Sequence, residues 1–178
     1  MLAVALTIGQ LTNALRQRAD DAEQRATERA ALFGLAASLA GSMTREMCAD
    51  SVASFLRDQL QGGCTVLVPD DDGHLSPLSE ATGYALSQAE RAAAQTAYDR
   101  SAEFDARQLG RDDGERVLLV LRGATRNRGV LAVAAAEAAP SLAGRIELLR
   151  AVADLLATAL ERIHYVEVAA QSDLVMRD

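Results

Sequence analysis

The stretch Cys64-Thr-Val-Leu-Val-Pro-Asp-Asp-Asp-Gly-His-Leu-Ser-Pro-Leu78 contains two short apolar runs separated by an acidic turn. The first run, Cys64 to Val68, is rich in β-branched residues, and the second run, His74 to Leu78, follows directly after the turn. Two such runs on either side of a turn predict a pair of antiparallel strands. Gly73 can supply the positive backbone angle that hairpin loops need. The stretch therefore predicts a β-hairpin.

Two further apolar runs predict a second pair of strands, Arg116 to Arg122 and Gly129 to Ala134. A polar turn from Thr125 to Arg128 joins them. The second run is unbroken, which predicts a strand that is buried on both faces. The preceding stretch, Arg100 to Glu115, is polar and is predicted to be irregular.

The chain ahead of the first hairpin is predicted to be helical. Thr12 to Ala40 contains no proline and carries oppositely charged residues four positions apart, which predicts one long helix. A break follows at Gly41, and either Ser42 or Thr44 can cap a second helix. That helix is predicted to stop at Gly62-Gly63.

A third helix is predicted between the two pairs of strands, from Ser87 to Asp99. Ser87 can cap its first turn, and Glu90 lies three residues further on. A serine and a glutamate at this spacing form a capping box, in which each side chain binds the backbone amide of the other residue.

The last predicted helix begins after Pro140 and carries apolar residues at alternating spacings of four and three. This spacing is typical of a helix that packs against another helix, although its first half also fits packing on a sheet. The part beyond Glu161 extends past anything the short sheet can cover. We therefore expect this helix to pack first on the sheet and then on a partner chain. The seam consists of Leu142, Ile146, Leu149, Ala153, Leu156, Leu160 and Ile163.

The first eleven residues form an apolar run, and Arg16 and Arg18 follow it. The run is too short to cross a bilayer, which takes about 20 apolar residues. It is therefore either the cut end of a transmembrane helix or an apolar helix in an oligomer. Arginines directly after an apolar run are typical of the cytoplasmic flank of a membrane helix, and this favours the first interpretation.

Composition excludes several classes of function. The formal net charge is -7, and lysine is absent. Binding to nucleic acid requires clustered basic side chains, so a nucleic-acid partner is not expected. Two cysteines, Cys48 and Cys64, are too few for a disulfide scaffold and are expected to pack as small apolar residues in a reducing compartment. A redox role would require positive surroundings.

The order of the predicted elements resembles that of a GAF domain, an α+β fold in which helices flank an antiparallel sheet. The likeness is carried by the first hairpin, by Asn127-Arg-Gly-Val-Leu-Ala-Val133 and by the helical stretch Leu148 to Arg162. It covers residues of about 30 to 163. The flanking stretches Ala31 to Ala40 and Glu161 to Ala169 are similar to those of KdpD-type sensor kinases.

The resemblance implies the cytoplasmic sensor module of a potassium-responsive histidine kinase in the bacterial inner membrane. Its partners would be a second copy of the chain and, through a kinase core, a KdpE-type response regulator. The dimer is expected to form through the terminal helices, at Thr12 to Leu39 and at the Leu156 to Ile163 seam. The expected divisions are the end of a transmembrane helix (1–11), a signalling helix (12–40), the GAF-like domain (41–163) and an exit helix (164–178).

Catalytic and metal-binding patterns are not found in the sequence. His164 lacks the residues that follow a phosphoacceptor histidine in such kinases, His74 is a lone hairpin residue, and no phosphate-binding loop is present. The three adjacent aspartates, Asp70 to Asp72, lack the alternating spacing of a calcium loop and are expected to form a solvated turn. We therefore expect no catalytic residue, no metal and no cofactor in this chain.

A small ligand remains possible. GAF domains often hold one between the sheet and the segment after the second strand, which corresponds here to roughly Tyr84 to Glu115. Within it Arg107, Arg111 and Asp113 could present charge to a ligand, or they could be solvated loop residues. The alternative function is accordingly a stand-alone GAF regulator that binds a small molecule.

Overall fold

The computed structural model describes residues 23, 25–79, 84–101, 104–105, 115–136 and 141–175. The chain forms two compact units, residues 1–34 and 35–178. The described residues of the first unit are helical, and the Thr27 hydroxyl donates a hydrogen bond to the carbonyl of Glu23, one turn earlier. The predicted end of a membrane helix, residues 1–11, lies outside the described residues. Among the described helices, none has the length and apolar character that crossing a bilayer requires.

The second unit contains an antiparallel sheet of five strands in the order β2-β1-β5-β4-β3. Both predicted strand pairs are confirmed, because β1 pairs with β2 and β4 pairs with β5. Strand β3 lies in the stretch that was predicted to be irregular, and that prediction was wrong at these two residues, which are too few to show a pattern. The strands are β1 (Gly63–Pro69), β2 (Leu75–Pro77), β3 (Phe104–Asp105), β4 (Arg116–Arg122) and β5 (Asn127–Ala134).

Strand β5 is central and buried, as its unbroken apolar run predicts. It holds the sheet together by pairing with β1 on one side and β4 on the other. Gly129 allows the close approach of β1: its φ is 152°, and a Cβ atom there would lie 2.1 Å from the carbonyl oxygen of Leu67. A side chain at this position would therefore clash with the neighbouring backbone.

Three α-helices surround the sheet: α1 (Arg45–Leu60), α2 (Gln88–Arg100) and α3 (Ile146–Val175), the last preceded by a 3-10 helix (Leu142–Arg145). Thr44, one of the two candidates, is the N-cap of α1, and its side chain accepts a hydrogen bond from the Met47 amide. The capping box of Ser87 and Glu90 at the start of α2 is confirmed.

Helix α1 ends at Leu60, before the predicted stop at Gly62-Gly63. Gln61 takes the left-handed conformation, with a φ of 51°, and its amide donates a hydrogen bond to the carbonyl of Arg57. Gly62 is required for a different reason. A Cβ atom there would lie 2.1 Å from the carbonyl oxygen of Ala134 in β5 and would clash with it. The glycine therefore serves the contact between the helix end and the sheet.

The two faces of the sheet are covered differently. Helix α2 packs on one face, around a core cluster that includes Leu67, Leu118 and Val130. Helices α1 and α3 pack on the rest of the sheet and against each other. The domain therefore has helices on both faces of an antiparallel sheet, and its core is centred on β5.

The apolar seam of α3 lies inside the chain's own core. Leu156 is 0% exposed, Leu160 is 3% exposed and Ile163 is 5% exposed. The prediction that Leu156 to Ile163 pairs with a partner chain is therefore wrong for these side chains. The reason is that α3 is covered by both the sheet and α1, and a helix packed on two neighbours shows the same apolar spacing as one packed on a partner.

Candidate functional site

An apolar cavity of about 500 Å³ lies beside β1 and β2. This volume is within the range of small-molecule pockets, about 300 to 1,000 Å³. Apolar side chains form much of its wall, together with two serines, one threonine and one arginine. The residues that line it are Thr65, Leu67, Leu75, Ser76, Pro77, Ser79, Tyr84, Ala85, Leu86 and Arg91.

Tyr84 forms part of the cavity wall and is fixed by its neighbours. Its carbonyl oxygen accepts a hydrogen bond of 2.9 Å from the Thr65 hydroxyl in β1. Its ring lies beneath the Arg116 guanidinium, whose central carbon is 5.4 Å from the ring centroid. The Tyr84 hydroxyl is buried without a hydrogen-bond partner among the described residues, and burial raises the pKa of Tyr84.

A buried ion pair joins α2 to β4 beside this wall. Glu90 is 2% exposed and pairs with Arg116. The same carboxylate accepts hydrogen bonds from the amide and the hydroxyl of Ser87, both at 2.6 Å. Burial opposes the ionisation of Glu90, but the hydrogen bonds from Ser87 and Arg116 outweigh it, so the pKa of Glu90 lies below its usual range.

The cavity lies where sequence reasoning expected a ligand, between the sheet and the segment that follows the second strand. Four residues of the observed wall belong to the predicted region: Tyr84, Ala85, Leu86 and Arg91. The charged candidates of that region, Arg107, Arg111 and Asp113, lie outside the described residues. Their role as ligand contacts stays a prediction.

The acidic turn after β1 is a structured loop. One carboxylate oxygen of Asp70 accepts hydrogen bonds from the amides of Asp72 at 3.0 Å and His74 at 2.8 Å. Gln95 of α2 holds the same loop, because its side chain accepts from the Leu75 amide and donates to the Gly73 carbonyl. No group of three or more potential metal ligands occurs in the part of the chain that the structure describes.

Both cysteines are free and buried, as expected of small apolar residues. Burial raises the pKa of Cys64 to about 12 and raises the pKa of Cys48 as well. A reactive cysteine requires a thiolate at neutral pH, and these pKa shifts oppose its formation.

Arg162 of α3 binds the end of the helical segment that leads into the domain. This leading segment (residues 35–42) is helical as far as Gly41, so its last carbonyl groups lack their regular helical partners, although the Leu39 carbonyl also accepts a hydrogen bond of 3.3 Å from the Ser42 amide. The Arg162 guanidinium donates hydrogen bonds to the carbonyls of Leu39 at 2.9 Å, Ala40 at 2.8 Å and Ser42 at 2.7 Å. A second link lies close by in sequence, the ion pair between Arg45 of α1 and Glu167 of α3.

A neighbouring residue of α3 holds the turn between β4 and β5. The Glu161 carboxylate accepts a hydrogen bond of 2.8 Å from the Ala124 amide and pairs with Arg128 at 3.0 Å. The Ala124 amide and Arg128 hold the pKa of Glu161 below its usual range. Consecutive residues of α3, Glu161 and Arg162, therefore contact the sheet and the leading segment respectively.

Sequence reasoning did not find these polar contacts. Arg128 lies near the start of β5 and is 7% exposed, and a buried guanidinium requires a partner. In the sequence, the signal that could have indicated a nearby acidic residue is the position of this arginine directly before the apolar run Gly129 to Ala134. The sequence does not show which one, because Glu161 is 33 residues away along the chain.

No protein-family model and no curated protein matches this chain. Solved structures do match it. The chain is similar to the native GAF domain of the potassium sensor histidine kinase KdpD from Escherichia coli, with a TM-score of 0.63 and 24% identity, covering 79% of this chain and 97% of that one. It is also similar to a GAF domain assigned to a sensor histidine kinase of Pseudomonas syringae pv. tomato, with a TM-score of 0.57 and 21% identity, covering 89% and 98%.

A third similar structure is the GAF domain of a phosphoenolpyruvate-protein phosphotransferase from Acinetobacter, with a TM-score of 0.62 and 12% identity, covering 79% of this chain and 96% of that one. The chain therefore has the fold of a GAF domain, and the predicted GAF-like α+β architecture is confirmed. These likenesses establish the fold alone, because one fold supports many activities.

The Glu90 ion pair gives a pH-dependent prediction. We expect Glu90→Gln to lower the free energy of unfolding at pH 7 by about 2 kcal/mol, because the buried Arg116 loses its carboxylate. Since the pKa of folded Glu90 is lowered, the stability it contributes is present above the unfolded value of about 4.3 and is lost as the pH falls through the folded value. Urea unfolding between pH 7 and pH 3 measures the difference.

The control is Glu147→Gln, because the side chain of Glu147 is 86% exposed. That variant should change the free energy of unfolding by less than about 0.5 kcal/mol. A loss in Glu90→Gln that stays constant down to pH 3 would contradict the role assigned to the carboxylate.

Proposed function

We propose that this chain is the GAF sensor module of a membrane-anchored sensor histidine kinase of the potassium-responsive KdpD type. It lies on the cytoplasmic side of the bacterial inner membrane and passes a conformational signal from membrane helices to a kinase core. The likeness to the KdpD GAF domain supports the choice of class. The observation that carries the proposal is Arg162, because it joins the leading segment to the helix that leaves the domain.

The path of the signal follows from these contacts. A displacement of the leading segment changes the positions of the carbonyls of Leu39, Ala40 and Ser42, and Arg162 must follow them or release them. Because Arg162 belongs to α3, either response changes the balance of contacts along that helix. Switches of this kind require two arrangements of packed elements rather than a bond that forms or breaks.

The module itself is proposed to have no catalytic activity. In the parent protein the kinase core would hold the phosphoacceptor histidine and the nucleotide, and the response regulator would dock there. His164 takes no part in that chemistry: it lies on α3, and its Nε2 atom is 3.1 Å from Nη2 of Arg126.

The coding sequence beyond Asp178 tests the kinase proposal. We expect a phosphoacceptor box of the type Ser-His-Asp-Leu-Arg-Thr-Pro within a few tens of residues, followed by a glycine-rich nucleotide-binding region. A stop codon directly after Asp178 would contradict the proposal. Where the box is present, autophosphorylation of the full-length protein at varied potassium concentration tests the stimulus, and a rate that does not respond to potassium would contradict the KdpD-type specificity.

We also propose a homodimer that forms through the terminal helices. The buried seam of α3 cannot provide the contact, but both terminal helices carry exposed apolar side chains. Phe33 is 77% exposed and Val166 is 65% exposed. Large exposed apolar side chains on helices are candidates for contacts between chains.

Charge substitutions test the dimer. We expect the full chain to be dimeric, and Phe33→Glu and Val166→Glu each to weaken the dimer by at least about tenfold, because the introduced carboxylate would be buried without a partner. Ser54→Glu, at an exposed position of α1, is the control and should leave the dimer unchanged. Sedimentation velocity over a range of concentrations measures association. A strictly monomeric wild type, or a dimer indifferent to both variants, would contradict the proposal.

A second candidate function is a stand-alone regulator that binds a small ligand. The apolar cavity beside β1 and β2 favours it, because its volume of about 500 Å³ fits a small molecule. The two functions differ in the coding sequence after Asp178 and in the response to ligands. A ligand that binds the folded domain raises its melting temperature by mass action.

A further inference from the structure

A second, polar cavity of about 320 Å³ lies at the end of the sheet near α3. It shares no lining residue with the apolar cavity. Its wall brings together Arg45 of α1, Arg126 and Arg128 of the β4–β5 region, and His164 of α3. Three guanidinium groups and an imidazole thus meet around one space that is large enough for a small ligand.

The three arginines are not equally neutralised. Arg45 pairs with Glu167, and Arg128 pairs with Glu161. The side chain of Arg126 instead contacts a ring nitrogen, with Nη2 of Arg126 3.1 Å from Nε2 of His164. A guanidinium group is always protonated and can only donate, so the imidazole accepts this bond and is neutral at Nε2. Among the described residues Arg126 therefore has no carboxylate partner.

Two carboxylates also lie in the wall, Asp70 and Asp71. Asp70 is committed to its own turn, because one of its oxygens accepts the amides of Asp72 and His74. Neither aspartate forms an ion pair with Arg45, Arg126 or Arg128 in the described part of the chain. These aspartates therefore reduce the positive potential of the cavity but do not neutralise Arg126.

The charged groups around the His164 ring are mostly positive. Burial, followed by the charges of Arg128, Arg126 and Arg45, lowers the pKa of His164, and the opposing effect of Glu167 is smaller. The groups that face the ring thus come from α1, from the β4–β5 region and from α3 itself. Their sum at the ring is positive, although the chain as a whole carries a charge of -7.

We propose that this cavity binds a phosphate group, free or carried by a small metabolite, with Arg126 as the principal donor. The guanidinium geometry suits two parallel hydrogen bonds to one phosphate. Arg45 and His164 lie on the other sides of the same space, so a bound phosphate would bridge α1, the sheet and α3. It would thereby stabilise one arrangement of these elements. The proposal is independent of the kinase assignment, because it concerns only residues of this chain.

Titration of the full chain with inorganic phosphate, glucose 6-phosphate and adenosine 5′-monophosphate tests the proposal. Sodium chloride keeps the ionic strength constant, and amide NMR shifts at pH 7.5 report binding. We expect saturable binding with a Kd of about 1 mM or tighter for at least one of the three. Tighter binding of inorganic phosphate indicates a free anion, and tighter binding of an ester indicates a metabolite.

Variants assign the binding to this cavity. Arg126→Gln should weaken binding by at least about tenfold, because it removes the charged donor. Arg126 is exposed, so the variant should fold as the wild type does, which circular dichroism checks. Arg150→Gln, at a half-exposed position of α3 outside the cavity wall, is the matched control and should change the affinity by less than about twofold.

The His164 ring gives a second measurement. Saturating phosphate should raise the pKa of His164 in the wild type, because a doubly charged anion favours the protonated ring. The Arg126→Gln variant should show a clearly smaller rise at the same phosphate concentration. The proposal is overturned by the absence of saturable binding in the wild type, by equal affinity in Arg126→Gln, or by a pKa of His164 that phosphate leaves unchanged.

Discussion

The carbonyl groups at the end of a helix lack their regular backbone partners, and in this domain one arginine side chain supplies donors to them. Arg162 donates three hydrogen bonds to the carbonyls of Leu39, Ala40 and Ser42. Hydrogen bonds from a charged donor are stronger than those between neutral groups, and here three of them start from one guanidinium. The position of the leading segment and the position of α3 are therefore not independent of each other.

The neighbouring contacts extend this dependence to the sheet. Glu161 holds the β4–β5 turn, and Glu167 holds Arg45 at the start of α1. Residues 161–167 of one helix, about two turns, thus contact the sheet, the leading segment and α1. The opposite face of the sheet carries the apolar cavity and α2, which the buried Glu90–Arg116 pair joins to β4. A change at either face can reach β4 and β5, because these two strands belong to both contacts.

Local patterns could be predicted from the sequence, and contacts over long distances could not. The hairpin at Gly73 and the capping box of Ser87 and Glu90 each need only a few adjacent residues, and both were predicted correctly. The seam of α3 was misassigned because Leu156 and Ile163 show the same spacing on a sheet, on α1 or on a partner chain. The role of Arg162 depends on carbonyls about 120 residues away. Because every residue has a backbone carbonyl, the sequence does not indicate which of them an arginine binds.

For the candidate site, too, some features could be predicted from the sequence and others could not. Its location after the second strand could be expected from the resemblance to GAF domains, and the apolar cavity lies there. The ion pair of Glu90 with Arg116 could not be expected, because the capping box already explained the glutamate. The polar cavity was missed because Arg45, Arg126 and His164 come from three separate elements.

Hydrogen exchange of residues 35–44 in the Arg162→Gln variant tests the coupling most directly, with Arg150→Gln as the control. The strands, which exchange more slowly, serve as an internal reference for global unfolding. Loss of the charged hydrogen bonds should accelerate exchange in this segment by at least about tenfold in Arg162→Gln and leave it unchanged in the control. Equal protection of residues 35–44 in the wild type and in Arg162→Gln would show that Arg162 does not couple the leading segment to α3.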